Sequence, residues 1–213
     1  VSVGQLAVLA ALNILGALTP GPDFVLIMRT ATRSRRHAVA VTAGIETGVL
    51  VWMALTVLGA AAVLNAFPQL VGVIQVVGGG WVAYLGQSMV RSGWKDRLAP
   101  PMDLQASAAT LGSLPRLYRH GLATNLSNPK IVLYLAAIIA PLLPASPSPA
   151  LAGGVIALLF ATSLITQMGV ALLLSTVAVR RRMLRANPYI DLGAGVFFLV
   201  AGATLFIHGL GAL

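Results

Sequence analysis

The chain has no cysteine, and its 213 residues include only 14 Lys or Arg and 5 Asp or Glu. Without cysteine there is no disulfide framework, no thiolate chemistry and no Cys-based metal site. The scarcity of charge excludes more. Charged residues make up 9% of the chain, against about 25% in a soluble domain, which is too few to cover a surface facing water. With 58% of residues hydrophobic, lipid is the main solvent to expect. A net charge of +9 would point to nucleic acid in a soluble protein. Here the basic residues sit in three short clusters between long apolar runs, so no nucleic-acid partner is expected. No Lys or Arg precedes Arg29, so the first apolar stretch lacks the basic flank of a signal peptide and reads as a permanent helix.

A membrane helix needs roughly 20 apolar residues to cross about 30 Å of hydrocarbon. Six segments qualify, at about 4–28, 38–65, 69–90, 117–143, 150–179 and 189–210. The predicted fold class is therefore an all-α membrane protein of six transmembrane helices. Thirteen of the 14 basic residues fall in the first, third and fifth connections, which the positive-inside rule assigns to the cytoplasm. Both termini are then expected outside. The arginine runs read as topology anchors and contacts to lipid headgroups, not as ligand sites.

Two of the six segments are interrupted. Thr19-Pro20-Gly21-Pro22-Asp23 breaks the first, because two prolines remove backbone donors and clash with the preceding turn. Asn125-Leu126-Ser127-Asn128-Pro129-Lys130 breaks the fourth. Asn128-Pro129 reads as an N-cap with proline at the first helical position, restarting a helix, and Thr19-Pro20 or Gly21-Pro22 can be read the same way. The broken segments correspond if the chain is two inverted three-helix halves, 1–91 and 117–213, joined by a cytoplasmic linker at 92–116. Paired interruptions of this kind point to a transporter's binding site, and unwound backbone at membrane depth is tolerated where it lines a cavity.

Asp23 and Lys130 lie at similar depth, roughly 9–17 Å from the cytoplasmic edge by helical rise, so the two can meet. Asp23 suits the first turn of a restarted helix, either as a cap or as a transport residue, whereas Lys130 opposes the helix dipole and needs an anion, from Asp23 or from a substrate carboxylate. Glu46, inside the second segment, is either a proton carrier or a hydrogen-bonded neutral acid at a helix contact. Gln75, Gln87 and Gln167 read as interhelical hydrogen bonders, and the small-residue stripes at Gly44/Gly48, Gly78 to Gly86 and Gly193 to Gly202 as close packing, within the chain or in a homodimer. His37, His120 and His208 are too scattered for a metal site or a catalytic triad. No acid–base–nucleophile constellation is present, so neither an enzyme nor a cofactor is expected.

The same motifs resemble the LysE/RhtB family of amino-acid exporters. The likeness runs from Thr19-Pro20-Gly21-Pro22-Asp23 through the basic stretch at 33–36, Gly44 to Gly48 and Gly78-Gly79-Gly80 with Tyr84-Leu85-Gly86. It closes on the run from Gly121 to Lys130, and segments five and six agree mainly in hydropathy. The wording is most similar to the homoserine/threonine branch. The resemblance implies a bacterial inner-membrane exporter of small neutral amino acids, driven by proton antiport; the residues expected at the substrate are Asp23, Lys130, Asn125, Asn128, Thr19 and Glu46, with Pro20, Gly21, Pro22 and Pro129 shaping the breaks. Glu46 departs from that branch, which leaves open another amino acid, basic or branched-chain. A metal or inorganic ion, handled by distant relatives, finds few ligands here.

Overall fold

The computed structural model describes residues 2–19, 21–57, 68–98, 104–135, 142, 147–183 and 185–211. Among them there is no strand, and ten helices follow one another. They are α1 (Val3–Leu18), α2 (Pro22–Ala31), α3 (Arg35–Val57), α4 (Pro68–Asp96), α5 (Leu104–Ala109), α6 (Leu114–Leu126), α7 (Pro129–Tyr134), α8 (Pro149–Leu174), α9 (Val177–Met183) and α10 (Asn187–Gly211). The helix starts follow local chemistry. Ser2 and Gln5 form a capping box on α1, Ser148 caps α8, and the Asn128 side chain accepts the Lys130 amide at 3.0 Å to start α7.

Of the two ways to restart the first segment, the structure takes the second. Thr19 ends α1 and Gly21 precedes α2 with Pro22 in its first turn. Pro20 lies outside the described residues. The axes of α1 and α2 meet at 62°. In the fourth segment, α6 ends at Leu126 and α7 starts at Pro129.

The chain is a multi-pass membrane protein. Among the described residues α3, α8 and α10 are each long and apolar enough to cross a membrane, and α1 with α2 makes a fourth if the bent pair is one span. The expected third segment lies within α4, which runs on to Asp96. Residues 58–65 of the second segment and 136–141 and 143 of the fourth lie outside the described residues. The fifth segment stops earlier than expected, at Leu174, because Ser175 caps α8 and a short separate helix, α9, carries the next arginines. The stretch 92–116 is also more structured than a plain linker, since it finishes α4, forms α5 and begins α6.

α4 packs along α10, and α3 packs against α6 and α8. Glycine sets these distances. A Cβ on Gly44 would lie 2.0 Å from the Tyr118 carbonyl oxygen, one on Gly121 would lie 2.2 Å from that of Val41, and Gly79 and Gly202 abut each other. Such contacts hold membrane helices together where no hydrophobic drive exists between them. Gly44→Ala is therefore expected to lower stability by about 1–3 kcal/mol, as overpacking does, because the obstructing atom is backbone. Gly153→Ala, with nothing within 4 Å of the added carbon, is the control expected to melt no lower than wild type. Thermal denaturation of the two purified variants in one detergent checks this.

Candidate functional site

The two helix breaks meet at a small cavity, about 50 Å³, lined by Thr19, Gly21, Asp23, Asn128, Lys130 and neighbours on α1, α3, α7 and α8. The same lining includes the apolar side chains of Val49, Met53, Ile131 and Leu135.

Asp23 sits in the first turn of α2, where the dipole favours an anion. Its Oδ2 accepts from Asn125 Nδ2 at 2.9 Å and from Asn128 Nδ2 at 3.0 Å. One carboxylate thus ties the break in the first segment to the break in the fourth. Its other oxygen, Oδ1, is buried with no hydrogen-bond partner in the protein. Asn125 is held against Gly48, whose missing side chain leaves the room: a Cβ there would stand 2.5 Å from Asn125 Oδ1.

Lys130 finds a different counter-charge from the acid or substrate that the sequence suggests. Its Nζ donates to the Thr19 carbonyl at 2.6 Å and to the Gly16 carbonyl at 3.3 Å. These carbonyls lie at the C-terminal, negative end of α1, and that of Gly16 also accepts from the Thr19 amide. No ion pair within 4 Å joins Lys130 to Asp23, although both line the cavity. Gly21 permits the arrangement, because a Cβ on it would come within 3.1 Å of Lys130 Cδ. The Thr19 hydroxyl turns away to the Leu15 carbonyl, so this residue contributes through its backbone.

Glu46 is 2% exposed and stands behind the cavity wall. Its Oε1 accepts from Ser163 Oγ on α8 at 2.9 Å, and its Oε2 has no partner in the protein. Gln167, expected to bridge helices, instead points its amide nitrogen at Ser163 one turn away on α8, at 3.5 Å. Its Oε1 is also unpartnered.

Sequence reasoning passed over several residues. Asn13 is buried on α1 and donates to the Leu159 carbonyl at 2.7 Å and to Thr162 Oγ1 at 2.8 Å. Ser163 is the partner of Glu46, and the Tyr134 hydroxyl donates to the Leu12 carbonyl. Asp191 is the largest omission. It accepts from Arg29 Nε at 2.7 Å and from Arg33 Nη2 at 2.5 Å. Arg33, read as a surface anchor, has a side chain only 3% exposed. Burial pushes its guanidinium below the ordinary value, and the Asp191 carboxylate works against that shift. Thr110 takes Arg33 Nη1 at 2.9 Å, and Arg180 covers the same corner by donating to the Arg33 and Leu104 carbonyls. The signal available was a lone acid at the start of segment six, next to an arginine run.

Residues 14–209 match the protein family described as LysE type translocator. The chain is 32% identical over 199 residues to a threonine efflux protein of Salmonella typhi, covering 93% of this chain and 95% of that one. The threonine efflux protein of Escherichia coli (strain K12) is 31% identical with the same coverage. A homoserine/homoserine lactone efflux protein of Salmonella typhimurium is 26% identical over 193 residues, 89% of each chain. No solved structure matches the chain.

Proposed function

The chain belongs to the LysE type translocators, transporters and not enzymes, and from that premise we propose that it exports small neutral amino acids, of the threonine and homoserine kind, from a bacterial cytoplasm in exchange for protons. The observation that carries this reading is the cavity between the two breaks. It places a cation, Lys130, an anion, Asp23, and apolar side chains on one shared cavity between the breaks. The substrate carboxylate takes Lys130 from the α1 carbonyls, its ammonium goes to the free oxygen of Asp23, and its short side chain lies against Val49 and Met53. Asn125 and Asn128 hold Asp23 in place, and the Thr19 carbonyl parks Lys130 when substrate is absent. Glu46 carries the exchanged proton.

In this reading the protein spans the inner membrane six times as two inverted halves, with both termini outside, lipid around it and arginines at the cytoplasmic face. The packing supports the halves. Exchanging them leaves the α4–α10 and α3–α8 pairings in place and turns α3–α6 into α8–α1, α2–α8 into α7–α3 and α2–α10 into α7–α4, all of which occur. The small-residue faces are largely consumed by these contacts, and among the described residues Gly80, Gly153, Gly154, Gly169, Gly193 and Gly211, where an added Cβ would meet nothing within 4 Å, are the ones left for a second copy.

Proteoliposomes loaded with labelled threonine or homoserine test the proposal. Efflux above that of empty vesicles, accelerated by an imposed pH gradient, is the expected result. No flux of either amino acid from protein shown to be folded overturns the substrate assignment, and flux indifferent to the gradient overturns the antiport.

A further inference from the structure

We propose that Ser163 and Gln167 form a polarity relay that reports the protonation of Glu46 to the ammonium end of the substrate, so that Glu46 couples the proton without touching the cargo; the inference rests on the proton-coupled export proposed above. Three observations on α3 and α8 carry it. Glu46 is not among the residues lining the cavity, whereas Ser163 and Gln167 are. Glu46, Ser163 and Gln167 form one chain of hydrogen bonds, at 2.9 Å and 3.5 Å. Gln167, 8% exposed, leaves its Oε1 buried and unpartnered, as does Asp23 its Oδ1. Two unpaired acceptors on one cavity match the donors of an ammonium group, and leaving them unpaired is costly.

The direction of the relay follows from donor and acceptor counting. An ionised Glu46 can only accept. Ser163 must then give its single hydrogen to Glu46 and can only accept from Gln167. Gln167 therefore turns its NH2 toward Ser163, and its carbonyl oxygen stays free for the substrate. A protonated Glu46 can donate instead. Its O–H goes to Ser163 Oγ, the Ser163 hydrogen turns to Gln167, and the amide rotates half a turn to accept it. The cavity then meets an NH2 donor where it had an acceptor, and an ammonium ion is repelled. Proton and amino acid thus exclude each other, as antiport requires, and the only covalent change is the one O–H bond on Glu46.

The surroundings leave this axis uncluttered. α8 carries no titratable side chain. Of the groups on α2, α6 and α7, which pack against α3, Arg29 is paired with Asp191, Tyr118 is bonded to Thr47, His120 packs on Trp81, Arg116 and Arg119 are exposed, Lys130 is bonded to the α1 carbonyls and Tyr134 to the Leu12 carbonyl. Asp23 is the charged group acting on Glu46 from another helix, and it is the same residue that shares the ammonium.

The test separates exchange from driven transport in proteoliposomes. Threonine–threonine exchange without a gradient needs the cavity alone, whereas accumulation against a threonine gradient, driven by pH, needs the relay. Ser163→Ala is expected to keep exchange within about tenfold of wild type, the worth of one neutral hydrogen bond, and to lose gradient-driven accumulation. Ser163→Thr, which keeps the hydroxyl, is expected to restore it. Gln167→Met cuts the relay at its other end and must also lose gradient-driven accumulation, with exchange weakened as well because the ammonium loses an acceptor, which keeps the test decisive should Ser163→Ala not fold. Driven accumulation that survives in either cut variant overturns the relay while leaving proton-coupled export standing. Folded Ser163→Ala protein without exchange also overturns it. Absence of driven accumulation in the wild type would overturn the export reading itself, and the relay with it.

Discussion

Lys130→Ala is expected to bring amino-acid flux down to that of empty vesicles while the protein remains folded and membrane-inserted. The two hydrogen bonds that Lys130 makes, to the Thr19 and Gly16 carbonyls, are not what holds α1 and α7 together. Tyr134 bonds the Leu12 carbonyl one turn further along, and Asn128 still caps α7. The carbonyls released by the substitution belong to residues that line the cavity with Asp23 and Asn128, where water can satisfy them. The substrate carboxylate has no such replacement. Removing one member of a buried, hydrogen-bonded charge pair costs roughly 2–5 kcal/mol, which is a loss of affinity of about 30-fold or more by the usual conversion. Lys130→Arg tests whether charge alone suffices. The space over Gly21 is already tight at Lys130 Cδ, and a planar fork is bulkier than an ammonium, so this variant is expected to transport far more slowly than wild type. Wild-type flux through folded Lys130→Ala would remove the residue from the transport site.

The parts of this site that could be read from the chain are those fixed by local chemistry. Proline cannot continue a helix, and an Asn-Pro pair can cap and restart one, so both interruptions were legible, with Asp23 and Lys130 beside them. What those residues bind was not. Asp23 is held by Asn125 and Asn128 from about a hundred residues away. Lys130 takes the end of α1 because two broken helices cross there, and no spacing rule encodes that crossing. Ser163 was invisible for another reason: a serine in an apolar helix usually bonds its own backbone, and only the approach of α3 makes this one a partner of Glu46. Arg29, Arg33 and Arg180 depart from the anchor reading, because charge near a membrane edge normally seeks headgroups and these three turn into the protein. Here α5 and α9, short helices within stretches that read as connection, bring Thr110 and Arg180 over Arg33 and seal it from solvent.

Asp191→Ala is expected to cause the largest loss of stability among single substitutions at the arginine-rich face. The ion pairs with Arg29 and Arg33 need not be favourable in themselves, since desolvating both charges offsets much of their attraction. The asymmetry lies in breaking them. Arg29, with a side chain 18% exposed, can swing toward solvent, but Arg33 at 3% cannot. Its charge would stay buried with the Thr110 hydroxyl as its remaining side-chain hydrogen-bond partner and Asp96 acting only from a distance, its Nε already lacking a partner. A buried charge stripped of its counter-ion costs about 3–5 kcal/mol, which in a chain of this size is a fall of roughly 10 °C in apparent Tm. Asp191→Asn keeps an acceptor but not the charge, and is expected to fall between. The double variant Arg33→Met/Asp191→Leu removes both charges and fills the space with apolar atoms, so it is expected to melt well above Asp191→Ala. Thermal scans of the three proteins in one detergent decide the matter. If Asp191→Ala melts within about a degree of wild type, the buried charge is not a structural constraint; if the double variant melts no higher than the single one, the loss comes from packing around Asp191 and not from the stranded guanidinium.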